Sequence, residues 1–212
     1  MRIVHFGHSC VLLETATARL LLDPGGFSAG FEELRDLTAI LITHQHADHL
    51  DEARLPALVA ANPDATLVVD PDTQAVVSKL GLTATTARPG EALELGGAAI
   101  NPVGTGAHAT IYREFPGITN TGYVIDHGAF YHPGDSFDLP EQSIDVLGVP
   151  IAAPWMKIAE AADFVHAVKP RVSVPIHEGM LANPPFVDAL LERFTAEVAP
   201  LRQLTKGEAT EL

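Results

Sequence analysis

The chain is a succession of short apolar runs separated by polar segments rich in Gly, Pro and Ser. Runs of Val, Ile and Leu between such segments predict β-strands. Four of them occupy residues 2–6, 10–14, 19–23 and 39–43. The pattern then changes to strand–helix alternation, which predicts a helix over 50–61, a strand over 66–70 and a helix over 72–80.

The second half of the chain repeats this plan loosely, without an obvious sequence repeat. Six further strands are predicted at residues 92–95, 98–103, 122–126, 129–132, 145–149 and 171–175. Helices are predicted over 157–168 and 185–198, and residues 208–212 form a candidate closing strand. Two sheets covered by helices accommodate this order, so the expected fold is α/β, a four-layer αβ/βα sandwich. The length suits a single domain over residues 1–212.

Composition narrows the setting in which the protein works. The formal net charge is −14 and no basic stretch occurs, which argues against a nucleic-acid partner. No apolar run of about 18 residues is present, so no membrane partner is expected, and the start of the chain lacks the features of a signal peptide. Cys10 is the only cysteine, so no intrachain disulfide is expected. We therefore expect a soluble, cytoplasmic protein, with homo-oligomer formation left open.

The chemistry is concentrated in residues 44–49, His-Gln-His-Ala-Asp-His, directly after the apolar run 39–42. Three imidazoles and a carboxylate on one turn are costly to desolvate unless a cation lies among them. A metal ion supplies that charge, and the spacing can serve two adjacent metals from one loop. The candidate ligands are His44, His46, Asp48 and His49. A solvated polar loop is the alternative, which four potential ligands in so short a segment disfavour.

Two metals need more ligands than one turn supplies, and three later residues fit. Each of them follows an apolar run, at or just past the end of a predicted strand: His108, Asp135 and His177. Strand ends at one edge of a sandwich can bring these side chains to the 44–49 turn. Imidazole and carboxylate donors suit zinc, iron or manganese. Ordinary loop, turn and strand-end roles are the alternatives for the three residues.

These motifs, in this order, resemble a known family. The residues that carry the resemblance span nearly the whole chain: Gly7-His8-Ser9, Leu22-Asp23-Pro24, residues 43–49, His108, Gly134-Asp135 and Pro175-Ile176-His177. The chain resembles the metallo-β-lactamase superfamily and its fold. Within it, the pattern is similar to the compact bacterial metal-dependent hydrolases that include the ascorbate-phosphate lactonases and lie near the N-acyl-phosphatidylethanolamine phospholipases.

The resemblance also implies how the ligands divide between two metals. The ligands expected for one metal are His44, His46 and His108, and those for the other are Asp48, His49 and His177. Asp135 would bridge the two metals together with a water or hydroxide. The implied cofactors are two divalent ions, zinc first, with manganese or iron as the other candidates.

The implied activity is hydrolysis of a small-molecule ester, lactone, amide or phosphoester by the shared hydroxide, because two cations lower the pKa of water from about 16 to roughly 7. Asp48 is the candidate catalytic residue, since it can hydrogen-bond the nucleophile and take or return a proton. Two other functions stay open. One is an iron-dependent oxidoreductase of the superfamily, similar to the persulfide dioxygenases, and the other is a non-catalytic metal-binding protein.

Five further residues are candidates for support of the site or for substrate contact. Asp23 is expected to orient a ligand histidine. His8 and His132 each lie at the end of a predicted strand and are candidates for roles beside the pocket. Trp155 and Lys157 lie between a strand and a helix, where Trp155 can pack on substrate and Lys157 can contact a phosphate or carboxylate. Core packing and a solvated lysine are the alternatives for these last two.

Overall fold

The computed structural model describes residues 1–212 and contains thirteen strands, four α-helices and two short 3₁₀ turns. In chain order the strands are β1 (Arg2–His5), β2 (Val11–Glu14), β3 (Arg19–Leu22), β4 (Ala39–Ile42), β5 (Thr66–Val69), β6 (Thr85–Thr86), β7 (Leu93–Leu95), β8 (Ala98–Val103), β9 (Gly122–Ile125), β10 (Phe130–His132), β11 (Val146–Pro150), β12 (Val172–Ile176) and β13 (Ala209–Glu211). The helices are α1 (Leu55–Ala61), α2 (Thr73–Lys79), α3 (Ile158–Val168) and α4 (Pro184–Thr195). No helix is long and apolar enough to cross a membrane.

The strands form two sheets. The seven-stranded sheet has the order β13-β1-β2-β3-β4-β5-β6, and the six-stranded sheet has the order β12-β11-β10-β9-β8-β7. In the first sheet β3, β4, β5 and β6 run parallel, with β1, β2 and β13 added antiparallel. In the second sheet β10, β11 and β12 run parallel, and β7, β8 and β9 form an antiparallel meander.

Three apolar clusters define the layers of the fold. The largest lies between the two sheets and includes Leu41 of β4 and Val174 of β12. A second cluster packs α1 and α2 against the outer face of the first sheet, for example through Leu58. A third packs α3 and α4 against the second sheet through Phe164 and Leu191. The order helix, sheet, sheet, helix confirms the predicted four-layer αβ/βα sandwich.

Coverage on both faces explains why the central strands were readable from the sequence. Every residue of β4, β9, β11 and β12 is buried, so these strands are continuous apolar runs rather than alternating ones. The β8 strand keeps the alternation of buried and half-buried positions. Cys10 is buried and unpaired, as expected.

The main error in the sequence prediction of the elements concerns α1, which begins at Leu55 rather than at residue 50. The side chain of Asp51 accepts hydrogen bonds from the backbone N–H groups of Ala53 and Arg54, at 3.0 and 2.9 Å, and so holds a non-helical turn before the helix. Pro56 then lies in the first turn of α1, where its missing N–H is tolerated. The helix α4 also ends earlier than predicted, at Thr195, and the two-residue strand β6 was not predicted.

The parallel strands bring the motif residues to one edge of the sandwich. The carboxyl ends of β3 and β4 meet at this edge, as do those of β10, β11 and β12. The β8 strand points the same way as β10, because both are antiparallel to β9. The hydroxyl group of Tyr123 on β9 donates to the backbone oxygen of Ile42 on β4 at 2.9 Å, which ties the two sheets together just below that edge.

A pH-dependent stability difference follows from Asp70, which directly succeeds β5 and is fully buried. Burial raises the pKa of its carboxyl group to about 6, above an unfolded value of about 3.9. Stability from this group is therefore lost as the pH rises from about 4 through 6. We expect Asp70→Asn to raise the free energy of unfolding by about 3 kcal/mol at pH 8 and to leave it nearly unchanged at pH 4.

The measurement is urea unfolding of both proteins at the two pH values. Asp64→Asn is the matched control, since Asp64 is exposed and forms no ion pair, and it should change neither value. If Asp70→Asn changed the free energy of unfolding equally at pH 4 and pH 8, the raised pKa of Asp70 would be contradicted.

Candidate metal centre

The 44–49 turn is shaped by the segment that follows β3. Backbone N–H groups of His49 and Leu50 donate to the oxygen of His46, at 2.9 and 2.8 Å, and close the turn. The N–H of Gly26 donates to the oxygen of Ala47 at 2.6 Å. A Cβ atom at Gly25 would lie 1.8 Å from the backbone oxygen of Asp48, so only glycine allows the two segments to approach this closely.

Asp23 connects this segment to the histidines. Its Oδ1 atom accepts the N–H of Thr43 and its Oδ2 atom accepts the Thr43 hydroxyl, both at 2.7 Å. The same Oδ2 atom lies 2.7 Å from Nδ1 of His49. Because Nδ1 of His49 donates to this carboxylate, its other nitrogen, Nε2, points into the centre.

Two histidines from the second sheet are oriented in the same way by backbone oxygens. His108 follows β8, and its Nδ1 atom lies 2.6 Å from the oxygen of Ala109. His177 follows β12, and its Nδ1 atom lies 2.5 Å from the oxygen of Ala152. Both rings are nearly fully buried. In each ring, Nδ1 donates its hydrogen to a backbone carbonyl group, so the lone pair of Nε2 faces the centre.

Asp135 follows β10 and is held by the side chains of Asn120 and Trp155, after a turn that requires glycine. The Oδ1 atom of Asn120 accepts its backbone N–H at 3.0 Å. The indole N–H of Trp155 donates to its Oδ2 atom at 2.7 Å. Gly134 has a positive φ of 63°, and a Cβ atom there would lie 2.2 Å from Oδ1 of Asn120, so this turn requires glycine.

The Asp135 carboxylate lies between imidazoles on two sides. Its Oδ1 atom is 3.1 Å from Nε2 of His49 and 3.0 Å from Nε2 of His177. Its Oδ2 atom is 3.3 Å from Nε2 of His108. One oxygen therefore faces each side of the centre.

Two clusters of potential ligand atoms result, each with all its atoms within 4.8 Å of one another. We name them the His44 cluster and the Asp48 cluster. The His44 cluster is His44, His46, His108 and Asp135. The Asp48 cluster is His8, Asp48, His49 and His177. The structure thus brings together all seven residues predicted as ligands and adds His8.

The donor atoms of this centre fit a bound cation. The Nε2 atoms of His49, His108 and His177 and the Oδ1 atom of Asp135 are buried without hydrogen-bond partners. Lone pairs of imidazole and carboxylate facing each other at 3.0–3.3 Å repel unless positive charge lies between them. These clusters are able to bind metal ions.

The pKa shifts of the clustered groups also indicate that this centre favours positive charge beside Asp135. Burial acts to raise the pKa of Asp135, but the imidazoles of His49 and His177 hold it well below its ordinary value. Burial acts to lower the pKa of His49, but the carboxylates of Asp135 and Asp23 raise it well above its ordinary value. Burial lowers the pKa of His44 well below its ordinary value. The carboxylate of Asp135 thus stays ionised, and it is stabilised by positive charge beside it, such as a proton on His49.

Of the two histidines predicted to lie beside the pocket, one is outside the two clusters and the other is inside the Asp48 cluster. His132 is fully buried, with its Nε2 atom 2.9 Å from the oxygen of Ser9 and its Nδ1 atom accepting the N–H of Gly134 at 3.2 Å. It therefore shapes the turn before Asp135 rather than facing the pocket. His8 enters the Asp48 cluster directly, through a 3.0 Å contact between its Nε2 atom and Oδ2 of Asp48.

The two predicted substrate contacts, Trp155 and Lys157, differ in their surroundings. The indole N–H of Trp155 donates to Asp135, and its ring packs edge-on against Phe137 at 4.9 Å, so this tryptophan supports the centre. Its ring is half-buried, and packing of the ring on substrate stays a prediction. Lys157 is exposed before the first turn of α3, and its side chain forms no ion pair or hydrogen bond. Contact between its ammonium group and a phosphate or carboxylate of the substrate stays a prediction.

Sequence reasoning missed the residues whose role is to shape the backbone. Gly25 and Gly179 matter because a side chain at either would strike a residue of the Asp48 cluster. Thr43 was included in the motif without a role, although its hydroxyl connects Asp23 to the turn. The only available signal was the Gly-Gly pair directly after Leu22-Asp23-Pro24.

A cavity of the protein lies away from both clusters. It has a volume of about 500 Å³ and is lined by residues such as Asn101, Thr105 and Asp138, with no member of either cluster. The centre is therefore identified by its donor atoms rather than by the size of a cavity.

Two facing sheets with a histidine- and aspartate-lined centre at one edge define the metallo-β-lactamase architecture, and the comparisons with known proteins agree. A sequence profile described as the beta-lactamase superfamily domain matches residues 2–177. Protein Rv0786c of Mycobacterium tuberculosis is 48% identical over 186 residues, covering 86% of each chain. A UPF0173 metal-dependent hydrolase of Pyrobaculum calidifontis is 32% identical over 196 residues, covering 84% of each chain.

A solved structure shows the same fold. Igni18, described as a novel metallo hydrolase from Ignicoccus hospitalis, matches with a TM-score of 0.76 at 21% identity, covering 100% of this chain and 98% of that chain. The chain belongs to the beta-lactamase superfamily and, within it, to the UPF0173 family of metal-dependent hydrolases. This confirms the resemblance drawn from the sequence motifs.

Asp23→Asn tests the orientation of His49. With the asparagine oxygen on the N–H of Thr43, its amide group would face Nδ1 of His49, so two donors would oppose each other and the histidine would lose its orientation. We expect metal affinity to fall about 10- to 100-fold. The measurement is competition with a chromophoric chelator. Asp163→Asn, at an exposed position of α3, is the control and should leave affinity unchanged, whereas wild-type affinity in Asp23→Asn would contradict this role.

Proposed function

We propose that this chain is a two-metal hydrolase of a small-molecule ester, lactone, amide or phosphoester. The observation that carries the proposal is the position of Asp135, whose two carboxylate oxygens face the His44 cluster on one side and the Asp48 cluster on the other. A carboxylate placed in this way can bridge two cations. A single metal would leave the imidazoles of the other cluster buried without a partner.

The ligand assignment follows the two clusters. The proposed ligands of one metal are His44, His46 and His108, and those of the other are Asp48, His49 and His177, with Asp135 shared. Imidazole and carboxylate donors favour zinc, with manganese or iron as alternatives. When bound, the two cations supply the positive charge that generates a nucleophile from water at neutral pH and polarises the substrate oxygen.

Asp48 is the proposed catalytic residue. Its side chain is about one-fifth exposed, unlike the fully buried ring of His49, and so it lies where solvent and substrate can reach it. Burial acts to raise its pKa, but the hydrogen bond from His8 and the imidazoles of His49 and His177 lower it below its ordinary value. The group is ionised at neutral pH and can accept a proton from the attacking water.

The surroundings favour an uncharged substrate over a phosphoester within this class. No lysine or arginine forms an ion pair with Asp48 or Asp135. Two large apolar side chains are exposed nearby. Phe27 packs edge-on against the His8 ring at 5.1 Å, and Met180 follows His177 by three residues. Apolar surface beside the ligand atoms suits an ester or lactone with an apolar part.

Metal content and activity test the proposal together. We expect about two zinc or manganese ions per chain by elemental analysis, and hydrolysis within a panel of lactones, esters, phosphodiesters, thioesters and β-lactams. Asp48→Asn should lower the rate at least about 100-fold, because the proton acceptor is lost. Glu52→Gln changes an exposed acid close to the motif and should retain the wild-type rate.

Other outcomes identify the alternative functions. Iron near one per chain, with no hydrolysis, would favour an oxidoreductase. Bound metal without turnover of any substrate would favour a non-catalytic metal-binding protein. Full activity of Asp48→Asn would refute the proposed role of Asp48.

A further inference from the structure

His8 lies in the Asp48 cluster, and by distance alone it is a candidate fourth ligand there. We propose instead that His8 is a positioning residue: it donates a hydrogen bond from Nε2 to Oδ2 of Asp48 and binds no metal. The expected effect of His8 on catalysis rests on the proposed hydrolase function, whereas the hydrogen bond and the tautomer of His8 do not.

The hydrogen-bond partner of the other ring nitrogen supports this assignment. The backbone N–H of Gly179 donates to Nδ1 of His8 at 3.1 Å. A backbone N–H is only a donor, so Nδ1 must carry a lone pair and the ring hydrogen must lie on Nε2. That hydrogen points to Oδ2 of Asp48, 3.0 Å away. To bind a metal, Nε2 would have to lose this hydrogen and form an imidazolate.

The neighbouring histidines differ from His8 in the group that faces the Nδ1 atom. The Nδ1 atoms of His49, His108 and His177 all lie against acceptors, at 2.7, 2.6 and 2.5 Å. Their Nε2 atoms are buried and unpartnered, as expected of ligands. His8 has the opposite tautomer, and its Nε2 atom is already used. The centre therefore holds two kinds of histidine, distinguished by the group that faces Nδ1.

The His8 ring is fixed from several directions, so its hydrogen bond has a defined direction. The residue is fully buried and has a positive φ of 52°. Its backbone N–H donates to Oε1 of Glu178 at 3.0 Å, and its backbone oxygen accepts the N–H of His177 at 2.9 Å. Glu178 in turn pairs with Lys206 at 2.7 Å. These contacts place the buried carboxylate of Glu178 against the backbone of His8.

Gly179 is matched to this arrangement. A Cβ atom at this position would lie 2.8 Å from Nδ1 of His8 and 3.2 Å from the Phe27 ring. Any side chain here would displace the imidazole from Asp48. With His8 in place, the protein holds Oδ2 of Asp48, the carboxylate oxygen that lies 3.6 Å from Nε2 of His177.

The direct test is the tautomer of His8 in the zinc-loaded protein, read from ¹⁵N–¹H correlations of the imidazole rings. We expect the hydrogen of His8 on Nε2, and those of His49, His108 and His177 on Nδ1. A His8 ring with its hydrogen on Nδ1 and a metal-shifted Nε2 would overturn the proposal. This readout needs no substrate, so it stands even if the proposed hydrolase activity fails.

Two substitutions separate a donor from a ligand. The amide nitrogen of glutamine in His8→Gln can reach the position of Nε2 and donate to Asp48, whereas the shorter side chain of His8→Asn cannot. Both variants should keep two metal equivalents per chain. We expect kcat of His8→Asn to fall about 10- to 100-fold with little change in KM, and that of His8→Gln to recover most of the loss.

Loss of one metal equivalent in both variants would identify His8 as a ligand, and wild-type kcat in His8→Asn would show that Asp48 needs no positioning. Thermal unfolding of each variant shows whether it is folded. If His8→Asn does not fold, Gly179→Ala provides the same test without altering His8. It should lower kcat while both metals stay bound, and unchanged kcat in that variant would contradict the proposal.

Discussion

A buried carboxylate that faces three imidazole nitrogens is the constraint on which this structure depends. Asp135 lies within 3.3 Å of the Nε2 atoms of His49, His108 and His177, and none of these nitrogens has a hydrogen-bond partner. Ionised groups taken out of water cost several kcal/mol each unless they are paired. Positive charge between the carboxylate and the imidazoles removes that cost. The need for positive charge at this point therefore follows from the fold itself.

That support comes from both halves of the sandwich. The first sheet supplies the 44–49 turn, and the second supplies His108, Asp135 and His177, so neither sheet forms the centre alone. The buried hydrogen bond between Tyr123 and the backbone of Ile42 joins the sheets just below it. Asp23, Trp155 and two backbone oxygens orient four of the inner groups, which are His49, Asp135, His108 and His177. Such partners fix the basicity of a ligand as well as its position.

The sequence predicted the architecture because the central strands are covered on both faces and read as continuous apolar runs. It predicted which side chains meet because they follow strands whose carboxyl ends lie at one edge of the sandwich. It did not predict features that depend on distant partners. The N–H of Trp155 donates to Asp135, which lies 20 positions earlier in the sequence. The tautomer of His8 is set by the backbone N–H of Gly179, 171 positions later. The start of α1 was misplaced because the local turn formed by Asp51 competes with the helix.

Anomalous diffraction from crystals of the metal-loaded protein tests the central claim most directly. The account predicts two peaks, one on each side of the Asp135 carboxylate, the first bounded by His44, His46 and His108 and the second by Asp48, His49 and His177. A single peak, or two peaks that are not separated by Asp135, would contradict it.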